Sequence, residues 1–163
     1  MIKQGHVDFP FLVVLPQARE NEDWTAESDG GKRAIAILED VQRDYRIDTR
    51  RLYLTGLSMG GMGTWSLAAA DPSQWAAIVP ICHGWDTDQA SRIKDVPCWC
   101  FHGDADEVIP VQQSRARVQA IKRAGGQVLY TEFSGVDHDT CADRAYAMPE
   151  LFEWLLLQTR AKR

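Results

Sequence analysis

What most limits how this chain can fold is an alternation along it. Short apolar runs rich in Val, Ile, Leu and Phe are separated by longer stretches that carry one apolar stripe at helical spacing. Phe9–Leu15 reads as a buried strand closed by Pro16, and residues 16–31 read as a polar loop. Residues 32–45 place Ala34, Ile37, Leu38, Val41 and Tyr45 on one helical stripe. Further strands are predicted at 51–55, 76–82, 96–101 and 128–133. Helices are predicted at 59–70 and 111–124, and a last one opens at Pro149. Gly125-Gly126 stops the second of these. Strands alternating with helices predict an α/β fold, a three-layer sandwich with a mostly parallel sheet covered on both faces. In such sheets the working residues sit in loops at the carboxyl ends of the strands.

At 163 residues the chain suits one domain spanning 1–163. Hydrophobic residues at 45% and charged residues at 25% exclude a disordered or low-complexity chain. The longest apolar runs fall well short of the ~20 residues of a membrane span. A net charge of −5 argues against nucleic acid or an anionic membrane as the main partner. No basic-then-apolar leader opens the sequence, so the expected location is the cytoplasm. Cys82, Cys98, Cys100 and Cys141 form no disulfide framework and are expected as reduced core thiols. His83 follows Cys82 and His102 lies close after Cys100. Without a C-x-x-C pair, no metal site is expected.

Three segments that follow predicted strands carry reactive residues. Gly56-Leu57-Ser58-Met59-Gly60 is G-x-S-x-G between a strand and a helix, the context of a nucleophile elbow. A sharp turn there lifts the Ser58 hydroxyl above the sheet. Gly56 and Gly60 are expected to avoid collisions with the neighbouring strand and helix. Ser58 sits at a helix N-terminus, and the Met59 N–H is aimed where an oxyanion would form. Phe101–Pro110 offers Asp104 and Asp106 as carboxylates able to orient an imidazole. Gly135–Asp139 offers His138 as general base. Trp85, in the loop after strand 76–82, is a candidate substrate-binding residue.

The order Ser…Asp…His is that of the alpha/beta-hydrolases. Leu52–Pro80 resembles bacterial esterases and predicted peptidases of that superfamily, near the phospholipase/carboxylesterase and polyhydroxybutyrate-depolymerase branches. Phe101–Pro110 resembles that branch's H-G-x-x-D-x-x-V-P loop, which implies Asp106 rather than Asp104 as the acid. Gly135–Asp139 matches its G-x-x-H-D segment, and Pro149–Leu155 resembles its last helix. The resemblance implies a bacterial origin and a serine hydrolase cleaving short-chain carboxylic esters through an acyl-enzyme, with no cofactor. A small-molecule ester is then the expected partner. The alternatives are a peptidase or amidase with the same triad, or an impaired remnant serving in binding or oligomerisation.

Relatives also carry an upstream strand ending in His-Gly, whose loop supplies a second oxyanion donor. No such pair precedes Ser58 here. The chain therefore resembles a shortened alpha/beta-hydrolase fold. Gln17 or its neighbour, or a second chain, is expected to supply the donor. An unpaired sheet edge predicts a homo-oligomer.

Overall fold

The computed structural model describes residues 9–84 and 86–160. Four strands, β1 (Tyr53–Leu57), β2 (Ala77–Ile81), β3 (Cys98–Gly103) and β4 (Val128–Phe133), form one parallel sheet in the order β1-β2-β3-β4. Because the strands are parallel and follow chain order, all four carboxyl ends open on one edge. Among the described residues five helices surround the sheet: α1 (Asp29–Asp44), α2 (Met59–Ala70), α3 (Val111–Arg123), α4 (His138–Tyr146) and α5 (Pro149–Leu157). A 3-10 turn at Thr87–Arg92 lies between β2 and β3.

Alternate residues of each strand feed two separate cores, as strand geometry requires. On one face Ile78, Cys98 and Cys100 pack with Trp65, Leu67 and Ala68 of α2, Val118 and Ile121 of α3, and Ile35 and Leu38 of α1. On the other, Val79, Ile81 and Phe101 pack with Cys141 and Ala145 of α4 and Leu151 and Leu155 of α5. The result is the expected three-layer sandwich. The four cysteines are free and buried, and Cys98 and Cys100 share one face of β3.

Two expectations need correction. Phe9–Leu15 is neither a strand nor buried: it runs unpaired, with Leu12, Val13 and Leu15 exposed. Pro10 and Pro16 have no N–H to give a ladder. Aromatic packing holds the segment instead, with Phe9 and Phe11 meeting Phe152 of α5, and Phe11 meeting Tyr53 of β1. Among the described residues no strand covers the outer edge of β1. The second correction is α4, a helix not expected from sequence. Its apolar stripe is short and made of small residues, and the signal is the cap: the Asp137 carboxylate accepts from the Thr140 amide at 2.9 Å. Smaller shifts occur at other ends. α1 starts earlier than the apolar stripe, because Ser28 caps it by accepting from the Gly31 amide.

Packing of α5 on the sheet gives a contrast within one helix. Leu151 is fully buried and Leu157 is 78% exposed. Leu151→Ala is expected to cost about 2–5 kcal/mol in urea unfolding. Leu157→Ala should stay within about 0.5 kcal/mol, and equal losses would contradict this packing.

Candidate active site

Ser58 connects β1 to α2 with φ 56° and ψ −117°. A serine in this region is strained by roughly 1–3 kcal/mol, and such strain persists only where neighbours impose it. The neighbours are visible. The Ser58 amide donates to the Ile81 carbonyl at 3.0 Å, tying the turn to the end of β2, and its carbonyl accepts from the Met62 amide at 2.9 Å, starting α2. Its side chain makes no capping hydrogen bond, so the hydroxyl is not consumed by the helix it precedes. Met59, exposed at the first position of α2, has an amide with no partner inside the helix.

The glycines divide unevenly. A Cβ on Gly56 would sit 2.6 Å from the backbone of Gly60, so only glycine lets strand and helix approach so closely. A Cβ on Gly60 would meet nothing within 4 Å, contrary to the expectation of a clash there. The tight neighbour is Gly61, whose Cβ would lie 2.5 Å from the Ile81 carbonyl oxygen.

Asp106 and His138 come from loops after β3 and β4, and backbone bonds stitch these loops together. The Asp104 amide donates to the Phe133 carbonyl at 3.0 Å, and the Ala105 amide to the Val136 carbonyl at 3.1 Å. The Asp104 carboxylate accepts from the Gly135 amide at 2.6 Å. Asp104 is thus a clamp between loops, while Asp106 meets the imidazole: His138 Nδ1 lies 2.7 Å from Asp106 Oδ2. A carboxylate only accepts, so Nδ1 carries the proton and Nε2 keeps its lone pair. The other carboxylate oxygen of Asp106 accepts from the amides of Val108 (2.9 Å) and Ile109 (2.8 Å). Burial alone would raise the Asp106 pKa, but the His138 bond and these two amides outweigh it. The carboxyl is held below its ordinary value and is ionised at neutral pH.

The structure brings Asp106 and His138 into contact. Among the described residues no hydrogen bond joins the Ser58 hydroxyl to His138. Gln17 is exposed, and its side-chain amide donates to the adjacent Ala18 carbonyl rather than to the Ser58 turn. Trp85 lies outside the described residues, but both sides of its loop are anchored. Trp65 Nε1 donates to the His83 carbonyl at 2.6 Å, and the buried Arg117 guanidinium donates to the Asp86 carbonyl while stacking over Trp65.

Sequence reasoning weighed His102 only as a metal ligand; it is completely buried near the end of β3. Its Nε2 stands 3.1 Å from Asp106 Oδ2. The signal was present: a histidine on an apolar strand, four residues before an aspartate. Cys82, His102 and Asp106 are the group among the described residues whose ligating atoms lie close enough for a cation, within 4.8 Å of one another. Their donors are already committed, since Asp106 accepts from His138 and two amides and His102 is bonded at both nitrogens.

Comparison with known proteins agrees with this architecture. The sequence profile of PET hydrolase-like proteins matches residues 17–152. A bifunctional acetylxylan esterase/xylanase, XynS20E of Neocallimastix patriciarum, is 33% identical over 106 residues, covering 63% of this chain and 16% of that protein. A solved thermostable esterase superposes with a TM-score of 0.82 at 36% identity, over 88% of this chain and 43% of that one. An acylaminoacyl peptidase of Pyrococcus horikoshii shares the fold, with a TM-score of 0.72 at 16% identity, over 85% of this chain and 29% of its own. The chain therefore spans less than half the length of each of these proteins. With the parallel sheet, the strained serine turn and the stitched Asp–His loops behind it, the match over residues 17–152 shows that the chain belongs to the PET hydrolase-like family of the alpha/beta-hydrolase superfamily.

Proposed function

We propose that this protein is a serine hydrolase of short-chain carboxylic esters that works through an acyl-enzyme, with Ser58, His138 and Asp106 as its triad. The observation that carries the reading is the 2.7 Å bond from His138 Nδ1 to Asp106. It leaves Nε2 as the basic nitrogen on an imidazole that a carboxylate already orients. The names of two relatives, an acetylxylan esterase and a thermostable esterase, support ester cleavage.

In this mechanism Ser58 Oγ attacks the ester carbonyl carbon while His138 Nε2 removes its proton. Asp106 compensates the imidazolium that forms and holds the ring. The tetrahedral oxyanion is met by the Met59 amide at the start of α2, where the helix dipole also favours negative charge. The second oxyanion donor is assigned to the chain around Gln17 or to another polypeptide. Collapse expels the alkoxide, which takes the proton from His138. Water, activated by the same nitrogen, then adds to the acyl carbon and releases the acid and Ser58. Among the described residues, β4 reaches α4 through residues 134–137 alone, and Ser58 separates β1 from α2 directly. No helical cap is inserted at these points, which favours an open site and short acyl chains.

Three outcomes test this reading. A fluorophosphonate probe should label the native protein and not Ser58→Ala, and kcat/KM on p-nitrophenyl butyrate should fall by at least about 10³-fold in Ser58→Ala and in Asp106→Asn. A native protein inert to the probe would overturn the hydrolase assignment. In a p-nitrophenyl ester series, acetate and butyrate should be cleaved faster than octanoate, and the reverse order would refute the open site.

The third outcome concerns acid. Burial holds both His83 and His102 below the ordinary imidazole value. Between those folded values and about 6.5 the unfolded chain binds more protons, so stability rises with pH across that window. The Tm should fall as pH is lowered through about 6.5. The depressed Asp106 adds a second loss below about 3.9, because its contribution is present above the unfolded value and disappears as the folded carboxylate is protonated. A Tm that is flat between about pH 7.5 and 5 would contradict neutral rings at the half-buried His83 and the buried His102.

A further inference from the structure

Asp106 faces two imidazoles. His138 reaches its Oδ2 from α4 at 2.7 Å, and His102 reaches the same oxygen from β3 at 3.1 Å. The proton on His102 can be placed by its partners. Nε2 lies 3.0 Å from the Ile109 carbonyl oxygen, which has no hydrogen to donate. Nε2 must therefore carry the proton, directed at that carbonyl and presenting its positive end to the carboxylate beside it. In the neutral ring Nδ1 is then a lone pair, and the Ser114 hydroxyl, 2.6 Å away on α3, must be its donor. Both His102 and Ser114 are completely buried. Burial disfavours the charged ring.

The carboxylate is thereby fixed at both oxygens. Two backbone amides hold Oδ1, while Oδ2 accepts from His138 Nδ1 and has His102 Nε2 beside it at 3.1 Å. Were His102 absent, Oδ2 would be oriented by His138 alone, the group whose position it is meant to define. Were His102 charged, it would compete with His138 as an ion-pair partner for one oxygen. A neutral, tautomer-locked donor does neither. The Cys82 thiol lies within 4.8 Å of both His102 and Asp106.

We propose that His102 is a positioning residue for the hydrolytic triad: its uncharged ring, locked by Ser114 and Ile109, turns the positive end of its Nε2–H dipole toward Asp106 Oδ2 and steadies that oxygen where it accepts the hydrogen bond from His138 Nδ1. This rests on the triad assigned above, and it adds an inner layer behind Asp106 made of His102 and Ser114.

The test combines kinetics with a signal read without turnover. His102→Leu keeps similar bulk and removes the donor. His102→Gln restores an amide N–H near the same place. His102→Leu should lower kcat on p-nitrophenyl butyrate and the rate of fluorophosphonate labelling by about 10–100-fold, the scale seen when a group that orients a metal-ligating side chain is removed, with KM unchanged. His102→Gln should recover most of that loss. The far-downfield proton NMR line of the His138 Nδ1–H should be sharp in the native protein, lost in the Leu variant and restored in the Gln variant. Long-range ¹H–¹⁵N correlations in the native, histidine-labelled protein should show His102 as the neutral Nε2–H tautomer at about pH 7. Full activity in His102→Leu overturns the proposal, as does a Gln variant no better than Leu, or a native His102 found charged or as the Nδ1–H tautomer. If the Leu variant does not fold, the native tautomer measurement decides alone. A native protein inert to the phosphonate removes the hydrolase reading, while the two NMR signals still decide the placement of His102.

Discussion

The register of β3 against β4 determines where the reactive groups can lie. Gly103 is the ladder partner of Phe133, so the two strands end level and their loops leave side by side. A Cβ on Gly103 would stand 2.1 Å from the Val136 carbonyl oxygen, so the second loop closes directly over the first. The backbone bonds from Asp104 and Ala105 follow from that closeness, and so does the contact between Asp106 and His138. A slip of one residue in this pair would exchange the faces of the strand and separate both loops.

Around that junction the electrostatics are economical. One carboxylate is buried, and it remains ionised because hydrogen-bond donors surround it, two of them amides that exist in any sequence adopting this turn. The neighbouring imidazole of His102 is kept neutral by the burial that would otherwise penalise the aspartate. The serine turn is built differently. Among the described residues no side-chain hydrogen bond holds Ser58; the strain at φ 56° is imposed by backbone bonds to Ile81 and Met62 and by the near-contact of Gly56 with Gly60.

Much of this was legible in the sequence. Apolar runs separated by helical stripes gave all four strands of the sheet, and β4 was placed at its observed bounds. G-x-S-x-G between a strand and a helix located Ser58, because the turn is a local requirement of chain geometry. His138 followed from the order of loops after strands, and Asp106 over Asp104 only from the family resemblance. Phe9–Leu15 misled because an apolar run records only a preference for burial. It says nothing of whether a neighbouring strand exists to accept its hydrogen bonds. α4 escaped because its stripe is made of small residues and its start depends on a cap. Gly60 misled because a motif position does not reveal what stands opposite it.

Sequence alone determined the four strands of the sheet, the α/β class and the candidates for the reactive side chains, since these depend on periodicity and on residues close in the chain. Only the tertiary structure decided that Asp104 clamps one loop to the other, that His102 stands 3.1 Å from the carboxylate oxygen that meets His138, and that Gly61 rather than Gly60 is the crowded glycine. Each of these is a contact between segments distant in sequence. Its distance is set by how two strands align and two loops close, and no local pattern records that.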